Sequence, residues 1–101
     1  MGILFEWDPE KARRNLAKHG ISFEVARDLF LDPFLLVVED REIDGEFRYH
    51  ALGHAGSGPI LLLAVFADRS DDDREIIRII SAREADQYEQ RTYADQFEKG
   101  N

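Results

Sequence analysis

Apolar positions along this chain first recur at helical spacing and then alternate. Residues 3–7, Ile-Leu-Phe-Glu-Trp, form a short strand-like run. Asp8-Pro9 then marks a helix start: the carboxylate can cap it, and Pro9 suits the first helical position, where an N–H would go unpaired anyway. Ala12, Leu16 and His19 share one helical face, and Gly20 can close the helix in left-handed backbone. Ser22 opens a second helix with Phe23, Ala26, Leu29 and Phe30 facing inward, ended by Asp32-Pro33. Strand-like runs follow over 34–38, 47–53, 60–67 and 75–81, separated by Asp44-Gly45, by the glycine- and proline-rich stretch 56–59 and by the acidic stretch 68–74. Such short links favour an antiparallel meander. Ser81-Ala82-Arg83-Glu84 has the form of a capping box and predicts a last helix with Ala85, Tyr88, Thr92 and Phe97 on one face. The order is β-α-α-β-β-β-β-α: one α+β domain over 1–101 with a mostly antiparallel sheet.

Composition narrows the class. At 101 residues, 44% hydrophobic and 34% charged, the chain is neither disordered nor of low complexity. Cysteine is absent, which removes disulfides, zinc ribbons, iron–sulfur sites and thiol nucleophiles, and fits a reducing compartment. The longest apolar run, 59–67, is too short to span a membrane, and the opening residues read as no secretory leader. A cytoplasmic protein without membrane contact is the expectation. Thirteen basic against 21 acidic residues give a net charge of −8, which counts against general nucleic-acid affinity. Residues 34–74 carry four basic and nine acidic groups. The excess is densest in 39–46 and 68–74, which read as exposed turns.

Chemistry must therefore come from His, Lys, Arg, Glu, Asp, Ser or Tyr. Lys18-His19-Gly20-Ile21-Ser22-Phe23-Glu24 is the densest polar group, at a hinge between two helices. Its charges also suit the helix dipoles, cations at a C-terminus and an anion at an N-terminus, so a purely stabilising role stays open. Arg48 and His50 lie two apart on a strand and share a face, which a solvated sheet surface would also explain. Arg78 interrupts Ile76-Ile77-Arg78-Ile79-Ile80 and needs a carboxylate or an anionic ligand. Arg69 ends one strand and Arg83 opens the last predicted helix, so both can border one edge of the sheet. No phosphate loop, nucleophile elbow, calcium loop or zinc spacing is present, so no metal or other cofactor is expected.

Several of these residues together resemble a known family. Phe5-Glu6-Trp7-Asp8-Pro9, Lys11, Asn15, Lys18 through Glu24, Ala26, Phe30 and Asp32-Pro33 look like the opening of the BrnT toxin family. Gly45-Glu46, Arg48, Gly53, Arg69, Ile77 through Arg83, Glu89 and Tyr93 look like its second half. The resemblance implies a type II toxin with a RelE-like fold: a small endoribonuclease that cleaves RNA and halts growth. It also implies a BrnA-type ribbon-helix-helix antitoxin as partner, with DNA reached only through that antitoxin. The resemblance makes Lys18, Glu24, Arg69 and Arg83 the expected active positions, joined by His19, with Arg48 as a substrate contact; Arg78, from its place in an apolar strand, is a second expected contact. The expected reaction is attack by the substrate's own 2′-hydroxyl, with Glu24 as base, Lys18 or His19 as acid, and arginines at the phosphate. The acidic balance keeps two other readings open: a non-catalytic module serving as antitoxin partner in an autoregulatory complex, and a domain that has lost its activity.

Overall fold

A computed structural model describes residues 2–56 and 58–98. Its order is β1 (Ile3–Glu6), α1 (Pro9–His19), α2 (Phe23–Arg27), a 3₁₀ turn (Asp28–Leu31), β2 (Leu36–Ile43), β3 (Glu46–His54), β4 (Leu61–Asp68), β5 (Glu75–Glu84) and α3 (Gln87–Glu98). Five strands form one sheet in the order β1-β5-β4-β3-β2. β2 to β5 are antiparallel neighbours, as the short links predict, while β1 pairs parallel to β5. The α+β class and element order hold. Ser57, inside the predicted 56–59 turn, lies outside the described residues, as do residues 1 and 99–101.

Local signals explain most boundaries. The Asp8 carboxylate accepts the Glu10 N–H at 2.9 Å, Pro9 opens α1, and Gly20 closes it at φ 73°. Ser22 Oγ accepts the Val25 N–H at 3.1 Å and caps α2. Asp44 and Gly45, both at positive φ (52° and 80°), make the two-residue turn joining β2 to β3.

The helical side of the sheet buries Phe23, Ala26 and Leu29 against Ala51, Leu62, Ala64, Phe66, Ile79 and Ala82. On the other side α3 buries Tyr93 against Leu52, Leu61 and Leu63. β4, the centre of the sheet, is apolar because both its faces are covered.

Four expectations are corrected. The acidic stretch 39–42 is not a turn. It belongs to β2, an edge strand with a register shift between Glu39 and Glu42, where one open side lets charges reach water. Ser81 to Glu84 do not start a helix; β5 runs through them, because pairing with β4 from Leu62 to Val65 outweighs the local capping pattern. The working capping box lies five residues later: the Asp86 N–H donates to Glu89, and the Glu89 N–H donates to Asp86 Oδ1 at 2.8 Å. The inward face of α3 carries Tyr93, while Tyr88 is 76% exposed. On α1, Leu16 is half exposed and the buried residue is Asn15.

Asn15 is buried for a reason that hydrophobic periodicity does not register. β1 pairs with β5 only as far as Arg78, so the rest of β5 has no strand on that side. Asn15 supplies the missing partner. Its amide nitrogen donates to the Ala82 carbonyl at 2.8 Å, and its oxygen accepts the Ala82 N–H at 3.1 Å. The same nitrogen donates to the Ile21 carbonyl at 3.0 Å, fixing the hinge after α1.

Asn15→Ala leaves these backbone groups without partners, at about 1–3 kcal/mol for each that water cannot reach. We expect it to lower unfolding free energy by at least about 2 kcal/mol in urea melts. A loss below about 0.5 kcal/mol would show that the clamp is not needed.

Candidate active site

The sheet face that α3 only partly covers gathers most of the predicted arginines. Directly opposed residues share a face, and the register sets out three rows. Arg48, Ala67 and Arg78 form one, continued by Glu6 on β1. His50, Val65 and Ser81 form the next, and Leu52, Leu63 and Arg83 the third. Arg78 and Arg83 are an odd number of residues apart, so an unbroken strand would turn them to opposite faces. A register shift between Ile79 and Ser81 leaves Ile80 without an opposite residue, and this bulge restores both arginines to one face.

Nearly every cation here is held by a carboxylate. Arg69 donates to Glu46 at 2.8 Å, Arg78 donates to Glu6 at 3.1 Å, and His50 Nε2 lies 3.3 Å from Asp40. Arg83 grips Glu89 through two bonds of 2.8 Å. That bidentate bond, and then the charge on Glu89 and Asp86, raise the Arg83 guanidinium above its usual range against the effect of burial. Bonding to Arg83 likewise holds Glu89 below the ordinary carboxylate range, outweighing burial and assisted by the Asp86 N–H and the charges of Arg83 and His50. Arg48 differs. It has no carboxylate partner among the described residues, and its buried Nε has no hydrogen bond.

Arg69 and Arg83 do not border one edge. The Arg69 N–H bonds the Ile76 carbonyl at one end of the β4–β5 pair, while Arg83 lies opposite Leu63 toward the other. The rows with Arg48, Arg78 and His50 lie between them. Lys18 and His19 are exposed at the end of α1 and line a shallow depression of about 210 Å³ with Ile80 and Ser81. Ser81 thus links the hinge to the sheet face, since it lies opposite Val65 in the His50 row. Glu24 is exposed in the first turn of α2, on the helical side, and no hydrogen bond or ion pair joins it to the arginines.

Two contributors escaped the sequence reading. His50 reads as a surface histidine until Asp40 is known to be on the neighbouring strand rather than in a turn. The other is Asp32, near a cleft of about 490 Å³ that includes Phe34, Tyr93 and Phe97. Burial pushes the Asp32 carboxyl up, but N–H donors from His54 and Phe34 and the Tyr93 hydroxyl hold it below its ordinary value. Burial, with the Asp32 bond and charge, pushes the Tyr93 hydroxyl up to about 12. Asp32 is fully occupied in joining the 3₁₀ turn, β3 and α3. No three His, Asp or Glu side chains among the described residues group as metal ligands would.

A family model described as the ribonuclease toxin BrnT of type II toxin–antitoxin systems matches residues 7–89. No curated protein matches the chain. The match takes in the hinge, the arginine rows and Glu89, and the chain belongs to this family.

The pH dependence of stability should follow these contacts. Glu89 is depressed in the fold, so its contribution is complete above its unfolded value near 4.5 and is lost as pH falls through the folded one. Glu89→Gln should lower the melting temperature at pH 7 and make its decline toward pH 3 shallower than in the wild type. Tyr93 is raised, so its contribution is present below 10 and is lost as pH rises through about 12. Tyr93→Phe should flatten that alkaline limb. Parallel wild-type and variant melting curves at either extreme would contradict the assignment.

Proposed function

As a member of the BrnT family this protein is a ribonuclease toxin, and we propose that it cleaves RNA endonucleolytically, without a metal, on the sheet face that carries Arg48 and Arg78. A RelE-like fold and a cytoplasmic setting belong to the same reading. The observation that carries it is the row Arg48-Ala67-Arg78. Two guanidinium-bearing positions are separated by one strand, roughly 10 Å from backbone to backbone, and Ala67 between them is short and fully buried, so no side chain projects between the two arginines from that row. Arg48 has no carboxylate partner among the described residues, and a planar fork matches phosphate oxygens.

In this mechanism the 2′-hydroxyl attacks the adjacent phosphorus, giving a cyclic phosphate and a free 5′-hydroxyl. Arg48 and Arg78 hold the phosphate oxygens as charge develops on them, with Arg69 and Arg83 flanking. A base accepts the 2′ proton and an acid returns one to the 5′ oxygen. The hinge offers Lys18 or His19 as acid, in the depression that Ser81 borders, and Glu24 as base from the first turn of α2. His50, one row from Arg48 and oriented by Asp40, is a third proton carrier already on the face. Glu24→Ala and His50→Ala separate these arrangements, since the true participant should cost about 10²–10⁴-fold in rate.

As a type II toxin the protein works with an antitoxin. We read that partner as a BrnA-type ribbon-helix-helix protein that inhibits by occluding the hinge and the arginine rows, its basic residues meeting the acidic edge of β2 and the 68–74 loop. Complementarity of that kind mainly speeds association. DNA would be engaged only through the antitoxin. The internal neutralisation of Arg69, Arg78 and Arg83 favours a second reading, a non-catalytic antitoxin partner in an autoregulatory complex.

Arg48→Ala and Arg78→Ala should each slow cleavage by about 10²-fold or more, and Arg48→Lys should recover only part of it because the fork is lost. An oligonucleotide with one 2′-deoxy sugar 5′ to the cleaved bond should resist cleavage, and a chelator should leave the normal substrate's cleavage unchanged. Cleavage of the deoxy substrate, or arrest by the chelator, would remove the mechanism. Intact RNA and normal growth on induction without the antitoxin would select the non-catalytic reading.

A further inference from the structure

We propose that the outer face of α1, with Lys11 and Arg14 beside Lys18, is a phosphate-binding surface that leads the RNA backbone over the free edge of β5 onto the arginine rows. The inference rests on RNA as the ligand and adds two residues and a path to the site already described.

Lys11, Arg14 and Lys18 recur at i, i+3 and i+7, so they lie along one helical face. They line the same depression as His19 and Ser81, and no acidic side chain lines it. In a chain of net charge −8 that is an unusual local balance. Most other arginines are matched: Arg13 with Glu10, Arg27 with Asp28, Arg69 with Glu46, Arg74 with Asp71, Arg78 with Glu6 and Arg83 with Glu89. Lys11, Arg14 and Lys18 have no carboxylate partner among the described residues. The neighbouring face of the same helix shows the alternative, since Arg13 there is compensated by Glu10 three positions earlier. A merely solvated helix face gains from such compensation. Three uncompensated cations in a row instead raise the local potential, which is what a polyanion binds.

Position supports the same assignment. The stripe from Lys11 to Lys18 extends about 10 Å along the helix axis, enough to meet more than one phosphate. Asn15, on the adjoining face of α1, is hydrogen-bonded to both backbone groups of Ala82 and to the Ile21 carbonyl. That fixes the helix, and hence the stripe, against the strand that carries Arg78 and Arg83. Ser81 borders the depression and sits in the His50 row. Ser81 is therefore shared by the depression beside α1 and the face where the proposed chemistry occurs.

The test compares two charge-neutralised proteins, Lys11→Gln/Arg14→Gln and Arg41→Gln/Arg91→Gln. Both lose two positive charges, and Arg41 and Arg91 lie on β2 and α3, away from the depression. Binding is measured against salt with a short single-stranded RNA whose 2′-hydroxyls are methylated, so that affinity is read without cleavage. Circular dichroism checks that each variant is folded. The α1 pair should lower the log–log salt slope by about 0.7 for each phosphate no longer neutralised, about 1.4 for two, while the control pair should leave it close to wild type. Equal changes in both variants would reduce the effect to net charge and overturn the proposal. An unchanged RNA slope with weakened antitoxin binding would also overturn it, assigning the stripe to a protein partner. Separately, a wild-type protein that binds this RNA with the expected slope difference yet never cleaves unmodified RNA would remove the nuclease mechanism and leave the stripe standing.

Discussion

The Asn15 amide joins the two parts of this fold. A five-stranded sheet whose first strand is four residues long leaves the far half of β5 with unpaired backbone groups, and burying such groups without partners is costly. A helix backbone cannot pair with a strand, because its own N–H and C=O groups are already engaged. A side-chain amide can, since it carries one donor and one acceptor in nearly peptide geometry. Asn15 serves the Ala82 carbonyl and N–H and still has a second N–H for Ile21. One polar residue in an otherwise exposed helix thus positions α1, the hinge and the end of β5 relative to one another.

That clamp lies next to the bulge that organises the arginine rows. With Ile80 set out of register, Ser81 and Arg83 turn to the face that Arg78 already occupies. The bulged Ile80 and the clamped Ala82 have only Ser81 between them, so the helix that holds Ala82 also stabilises the strand where its parity has changed. α3 then lands on the same face through Tyr93 and Glu89, and Glu89 locks Arg83 in a bidentate pair. The result is a band of cations bounded at one end by α3 and at the other by the Glu46–Arg69 pair.

An acidic protein that handles a polyanion has to localise its positive potential. Here the screening distance of roughly 8 Å at physiological salt makes the distribution more important than the total of −8. The acidic side chains of β2 and of the 68–74 loop are solvated at the sheet edge and in a turn, while three cations without an ion-pair partner lie in a row on α1. Paired arginines keep their orientation through their carboxylates, and Arg48 has no such partner among the described residues. The family's ribonuclease identity and the charge distribution are therefore compatible, although the net charge alone points the other way.

Several element boundaries follow from local chemistry alone. Asp8-Pro9 and Gly20 bound α1, Ser22 caps α2, Asp44-Gly45 turns the hairpin, and the apolar run beyond Pro59 becomes the buried central strand, because each depends on a few adjacent residues. Family resemblance was legible in the same way, from the hinge and the Ile77 to Arg83 segment. The tertiary structure decided what depends on partners distant in the chain. Ser81 to Glu84 satisfy a capping pattern as well as a strand, and only pairing with β4 selects the strand. Glu39 to Glu42 read as a turn until β3 lies beside them. Arg78 and Arg83 differ in parity, and only the bulge at Ile80, fixed by long-range pairing, puts both on one face. A period of two or of 3.6 describes a single element, whereas a register shift belongs to two strands at once, and so no local pattern could have shown it.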